Sequence, residues 1–369
     1  MNSEKSEYSK YIRLKGHTEF LNHFCSSKRQ NSLHHAYILS GNIGIGKSFL
    51  ARQLAAYLLQ EEYPSALNEV KYDLDEVEYI LSLNEDNAIW RQVFCHSHPD
   101  LVYLYANKSE TNKSGQIKLE DIKSIANLTN HLSARGGWRI IIIDSLDKTN
   151  HSGANAILKV LEEPPEKTIF FLISHSLSKV TSTIRSRCQL VKLSPLKNLD
   201  SRLVLNQHIR NINDEEVNLL ATLCEGSPGM AMTIFNSGIN VFFEKFSEVL
   251  QGKGSQFENM LSLASNWGSS ISKNPELSAA TIFVFDKLFS QAALFSVNGH
   301  KNQMNNVVLV TSSFLQIANI LAESYTTKEL VELHMEWQNE FREALDNYLD
   351  IGVFMQQSIY EIYSQTQLR

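Results

Sequence analysis

A short apolar run, residues 36–39, leads directly into Gly41-Asn42-Ile43-Gly44-Ile45-Gly46-Lys47-Ser48, and the residues that follow place Leu50, Leu54 and Leu58 on one helical stripe. This strand, glycine-rich loop and helix constrain the fold more than anything else in the chain. A G-x-x-x-x-G-K-[ST] loop in that setting turns its backbone N–H groups inward around a phosphate, while the helix presents the positive end of its dipole. Lys47 is then the cation for the terminal phosphates, and Ser48 offers a hydroxyl to Mg2+. The residues expected to contact nucleotide are Gly41, Gly44, Ile45, Gly46, Lys47 and Ser48, and the cofactors expected are ATP and Mg2+.

Such a loop belongs at the end of a parallel strand, and residues 33–193 alternate apolar runs with helical patterns as an α/β sheet requires. Strands are expected at 36–39, 101–105, 139–143, 169–173 and 189–193. Helices are expected at 49–59, along the stripe Leu119, Ile122, Ile125, Leu128 and Leu132, and from Asn155 to Glu162, where two consecutive prolines end it. Segments 61–97 and 107–115 are polar and read as surface insertions. Ile140 to Ile143 run into Asp144, a carboxylate at a strand end and the second expected Mg2+-side residue. Ser145 follows it and cannot take a proton from water as a carboxylate can, so slow hydrolysis is expected. Asp147, two residues further on, reads as a solvated loop residue, the alternative being that a turn after the strand swings it inward.

Pro195 closes the last strand, and 200–236 reads as a small helical unit broken at Gly226-Ser227-Pro228-Gly229. Only Pro275 interrupts the remainder, which is expected to be helical. The organisation expected is an α/β nucleotide-binding domain over 1–196, a helical lid over 197–239 and an all-α domain over 240–369.

Gly153-Ala154-Asn155-Ala156-Ile157-Leu158-Lys159-Val160-Leu161-Glu162-Glu163-Pro164-Pro165 after the acidic strand, and Thr183-Ile184-Arg185-Ser186-Arg187-Cys188 beyond it, resemble the paired A-N-A-L-L-K-x-L-E-E-P-P and S-R-C motifs of the AAA+ clamp-loader family. Arg135-Gly136-Gly137-Trp138-Arg139 and Gly226-Ser227-Pro228-Gly229-Met230-Ala231 resemble its delta-prime branch. The resemblance covers about the first 235 residues. It implies a P-loop AAA+ domain, a lid, and a helical collar in a hetero-oligomeric ring with delta and gamma/tau subunits, and through them contact with the sliding clamp and primer-template DNA. It also implies that Arg187 is an arginine finger, completing the ATP site of a neighbouring subunit in trans. The alternative is an ATP-hydrolysing gamma/tau-type motor. Against that stand Ser145, where such motors carry glutamate, and Met230, where they carry arginine.

The net charge of −6, from 34 basic and 40 acidic residues, lacks the footprint of a chain that grips DNA alone. Cys25, Cys95, Cys188 and Cys224 are far apart, and Cys95 with His96 and His98 is a poor tetrahedral set, so no zinc is expected. The polar N-terminus carries no signal-peptide core and no later run reads as a membrane span, so a cytoplasmic location is expected.

Overall fold

In the computed structural model, which describes residues 14–60, 76–83, 85–105, 117, 122, 137–210, 212–252, 257–298, 312–347 and 349–368, the five apolar runs are five parallel strands. They are β1 (Ala36–Ser40), β2 (Leu101–Tyr105), β3 (Arg139–Asp144), β4 (Thr168–Ser174) and β5 (Gln189–Lys192), in the order β2-β3-β4-β1-β5. Both faces are covered. β1 and β4 are therefore buried along their whole length, and β3 is buried up to Asp144.

Side chains alternate across a strand, so each face collects every second residue. One face carries Tyr37, Leu39, Ile140, Ile142, Phe171 and Ile173. It packs beneath α1 (Thr18–Arg29), α2 (Lys47–Gln60), α3 (Glu76–Ser82) and α4 (Ala88–Phe94), with Phe24, Leu50, Leu54, Ile80 and Trp90 at the contact. The other face carries Ile38, Ile141, Ile143, Phe170 and Leu172, covered by Ile157, Leu161 and Ile184. Those come from α5 (His151–Glu162) and α6 (Ser182–Arg185). Each such side chain contributes roughly 1.5–3 kcal/mol on burial. α5 starts before Asn155 because the Asn150 side chain accepts from Gly153 N–H at 2.8 Å, and it stops at two prolines. Of the expected second stripe, Ile122 is buried in this core, while Leu119, Ile125, Leu128 and Leu132 lie outside the described residues, as do 107–115 and Arg135-Gly136.

The chain divides into two compact units, Met1–Asn211 with Glu225–Gly229, and Ile212–Cys224 with Met230–Arg369. The first holds the sheet and α7 (Asn198–His208). Helices α8 (Asp214–Leu223), α9 (Pro228–Asn236), α10 (Ile239–Leu250), α11 (Phe257–Lys273), α12 (Pro275–Asn298), α13 (Ser312–Ser324), α14 (Thr327–Asp346) and α15 (Ile351–Leu368) complete the chain. The helical unit closes on aromatics: Phe285 stacks on Trp337 at 4.6 Å and Trp337 on Phe341 at 5.0 Å, with Phe242, Phe243 and Phe314 alongside. α11 and α15 cross with backbones touching, since a Cβ on Gly268 would lie 2.5 Å from Ile351 O.

One expectation needs correcting. The stretch Glu276–Val297 of α12 is long and apolar enough, by length and composition alone, to cross a membrane. Half of it is buried inside the fold, with Ala280, Val284, Phe285, Leu288 and Phe289 in the core. Its Asp286 carboxylate, partly exposed, is met by His334 at 2.9 Å.

Candidate functional site

The loop leaves β1 at Ser40 and turns through Gly44 and Gly46 at φ 83° and 96°, a left-handed region in which side chains are strained. Ile45 between them is fully buried, and its carbonyl lies 3.0 Å from His17 Nε2. From the other side Gly229 N–H donates to Gly44 O at 2.8 Å. Lys47 is only 4% exposed and spans its own loop, donating to Gly41 O at 2.8 Å and Asn42 O at 2.6 Å. Burial pulls its ammonium down to about 8, against the opposing pull of Asp144 and Asp147. The loop thus holds a cation in readiness, engaged with carbonyls that an anion would replace.

Ser48 and Asp144 meet through a third residue. The Tyr103 hydroxyl donates to Asp144 Oδ2 at 2.9 Å and lies 2.8 Å from Ser48 Oγ, which therefore donates to it. Strand register explains the meeting: Tyr103 pairs with Ile142, and Tyr103, Ile142 and Asp144 project from one face toward α2. The ring stacks on His96, with centroids 4.0 Å apart and planes 9° off parallel, and the Arg52 guanidinium lies 5.9 Å from its centroid. Burial first, and then the Asp144 charge, push the phenol well above its ordinary acidity range.

Asp147 is not the solvated loop residue expected. The turn Leu146–Lys148 swings its carboxylate inward to accept from His175 N–H at 2.9 Å, just past the end of β4. His175 is held below the ordinary imidazole range by burial and then by the Lys47 charge. Ser145, which makes this turn, sits at φ 65°.

The structure therefore gathers Gly41, Gly44, Ile45, Gly46, Lys47, Ser48 and Asp144 in one place. Arg187 is held elsewhere. Its guanidinium pairs with Glu162 Oε1 at 2.8 Å and donates to Thr183 O at 3.1 Å. This ion pair joins the end of the E-E-P-P helix to the S-R-C segment. Residues 16–197 match the profile of the family described as DNA polymerase III, delta subunit.

The chain is similar to subunits of DNA polymerase III. It is 28% identical over 239 residues to the DNA polymerase III subunit delta-prime of Pseudomonas aeruginosa, covering 64% of this chain and 66% of that one. It is 30% identical over 141 residues to the delta-prime subunit of Escherichia coli, 38% of this chain and 40% of the relative. With the tau subunit of the same organism it shares 28% over 218 residues, 56% of this chain and 29% of the other. The chain thus spans just under two thirds of the first relative and less of the others.

Four residues of the site were not marked by motif: His17, Tyr103, His175 and the inward-turned Asp147. Tyr103 left a signal, because counting by twos along 101–105 puts it on the Leu101 face, the face that carries Asp144 on the neighbouring strand. Among the described residues no group of three or more His, Cys, Asp or Glu is placed to hold a metal ion.

Proposed function

We propose that this chain is the delta-prime type subunit of a bacterial clamp loader, a largely non-motor member of a cytoplasmic ring that loads a sliding clamp onto primed DNA. The observation that carries the reading is the Arg187–Glu162 pair, which ties together in space the two segments that resemble the family's paired motifs. Arg187 is partly exposed and tethered by a partner that can release it, as a finger acting on a neighbouring subunit requires. The loop residues and Asp144 suit a nucleotide, with Lys47 compensating phosphate charge. Mg2+ accompanying ATP would be faced by Ser48 and Asp144, which the Tyr103 hydroxyl now bridges. Ser145 provides no base, so this chain's own turnover is slow and its part in catalysis is the group it lends.

The domains in this reading are an AAA+ domain over 1–196, a lid over 197–239 and a collar over 240–369. Its partners are delta and gamma/tau subunits, with clamp and primer-template DNA reached through them. Leu294 and Val297 on α12 and Val331 and Met335 on α14 are exposed apolar side chains that a collar contact would cover. The intact loop favours the second reading, a gamma/tau-type motor, which Ser145 and the buried Met230 oppose.

The deciding experiment compares steady-state phosphate release by the purified chain with that of the chain mixed with delta and gamma/tau subunits, clamp and primed DNA. The expected result is negligible release alone and stimulated release in the assembled complex. Release by the chain alone near the enzyme median of roughly 10 per second would establish the motor reading instead. Failure to assemble at all would remove the chain from the ring.

A further inference from the structure

The two groups that a nucleotide-bound magnesium ion would address already share a partner. An ion bound by both Ser48 Oγ and Asp144 lies between them, where the Tyr103 phenol oxygen now sits at 2.8 and 2.9 Å from the two. Mg2+ demands near-octahedral oxygen ligands at about 2.0–2.1 Å and gives up its water reluctantly. It does not fit beside a neutral hydroxyl whose proton points at Asp144. The ring is fixed by His96 on its face and by its half-buried place on β2, and the hydroxyl satisfies Ser48 and Asp144 without an ion. Positive charge for phosphate remains in Lys47, and Arg52 lies one helical turn after Ser48, its Nε 3.3 Å from Ser48 O.

We propose that Tyr103 determines the cation requirement of this site: its hydroxyl stands in the divalent-cation position, so the loop binds nucleotide without needing Mg2+. The inference rests on the reading of the loop as a nucleotide site, and it explains how an intact G-x-x-x-x-G-K-S loop coexists with a strand end lacking the catalytic carboxylate. Nucleotide is held as a fixed structural element. Without a metal bridging its phosphates, the charge of transfer goes unneutralised on this chain.

The test is an equilibrium titration of the full chain with a fluorescent ADP analogue, in excess Mg2+ and in EDTA, for wild type, Tyr103→Phe and Tyr103→Thr. Phenylalanine keeps the ring stacked on His96, and threonine keeps strand propensity should the ring itself block the ion. Melting curves establish that each variant is folded. Wild type is expected to bind within about threefold equally in the two conditions, and at least one variant about tenfold more tightly in Mg2+ than in EDTA. Wild type that binds in EDTA but not in Mg2+, beside a variant that binds in Mg2+, supports the same assignment. A wild-type preference of tenfold for Mg2+, or variants that keep the wild-type ratio, would take this role from Tyr103 while leaving nucleotide binding intact. Absence of binding by every protein in both conditions would overturn the nucleotide reading and the inference with it.

Discussion

Replacing Arg187 by alanine separates a lent catalytic group from a structural one, because the two roles predict effects of very different size. The Arg187 and Glu162 side chains are 37% and 50% exposed. A pair so open to solvent is worth about 0–1 kcal/mol. Water replaces the bond to Thr183 O without leaving a buried acceptor. The subunit should therefore melt within about 4 °C of wild type, given roughly 2–4 °C per kcal/mol for a domain of some 200 residues. At the neighbouring ATP site the stake is larger, since such fingers are worth about 10^3 to 10^5 in rate. The assay is DNA- and clamp-stimulated ATPase of the reconstituted complex, with assembly verified by gel filtration. Arg187→Ala should abolish the contribution of that one site. Arg187→Lys should rescue poorly because a point charge does not reproduce a planar fork. Glu162→Gln, which frees the guanidinium and keeps its charge, should leave turnover intact. Full ATPase in a normally assembled alanine complex would refute the reasoning and leave Arg187 a surface ion pair.

Lys47 should make nucleotide affinity pH-sensitive unusually early: phosphate needs the ammonium, and with its pKa near 8 in the free chain, affinity should fall about tenfold per pH unit above 8. Affinity that stays flat from pH 7 to 9.5 would contradict this. The same shift has a sign for stability. Between pH 8 and 10.5 the unfolded chain binds more protons at this lysine than the folded one, so the lysine's contribution to nucleotide-free stability should rise over that window, measurable as a urea midpoint against Lys47→Met. Gly268→Ala puts a methyl 2.5–2.7 Å from Ile351 O and the Gly352 backbone, and should destabilise the helical unit by about 1–3 kcal/mol despite alanine's better helix propensity; unchanged melting would show that the crossing yields freely. In the native chain at pH 8, exposed Cys95 should react fastest with a thiol reagent, and Cys188, whose thiol burial raises to about 12, far more slowly, as site-resolved mass spectrometry would report.

How far the site can be read without coordinates depends on whether its residues are neighbours in the chain. The strand at 101–105 is found with its observed bounds, three others miss by one residue at one end and β4 by one at each end, because parallel strands here are short apolar runs that local composition displays. The loop was equally legible, since the wrapping of a phosphate is accomplished by eight consecutive residues. Asp144 follows from the run that ends in it. α5 was expected to begin at Asn155 and begins at His151, because its start is set by the Asn150 cap and not by hydrophobic periodicity.

The α/β class, the phosphate loop, the acidic strand end and the serine at position 145 are legible residue by residue, because each is a matter of near-neighbour chemistry. What stands among them depends on how distant segments meet. Tyr103 reaches Ser48 and Asp144 because β2 lies beside β3 in one particular register, and a shift of one residue would turn its side chain to the other face. Asp147 enters the site because a single left-handed residue, Ser145, reverses the chain, a torsion that no periodicity records. Glu162 and Arg187 pair because the ends of two separate segments converge after folding. Contacts between residues remote in sequence carry no local signature, so pairing and packing, not composition, set the lowered pKa of Lys47 and the Tyr103 bridge between Ser48 and Asp144.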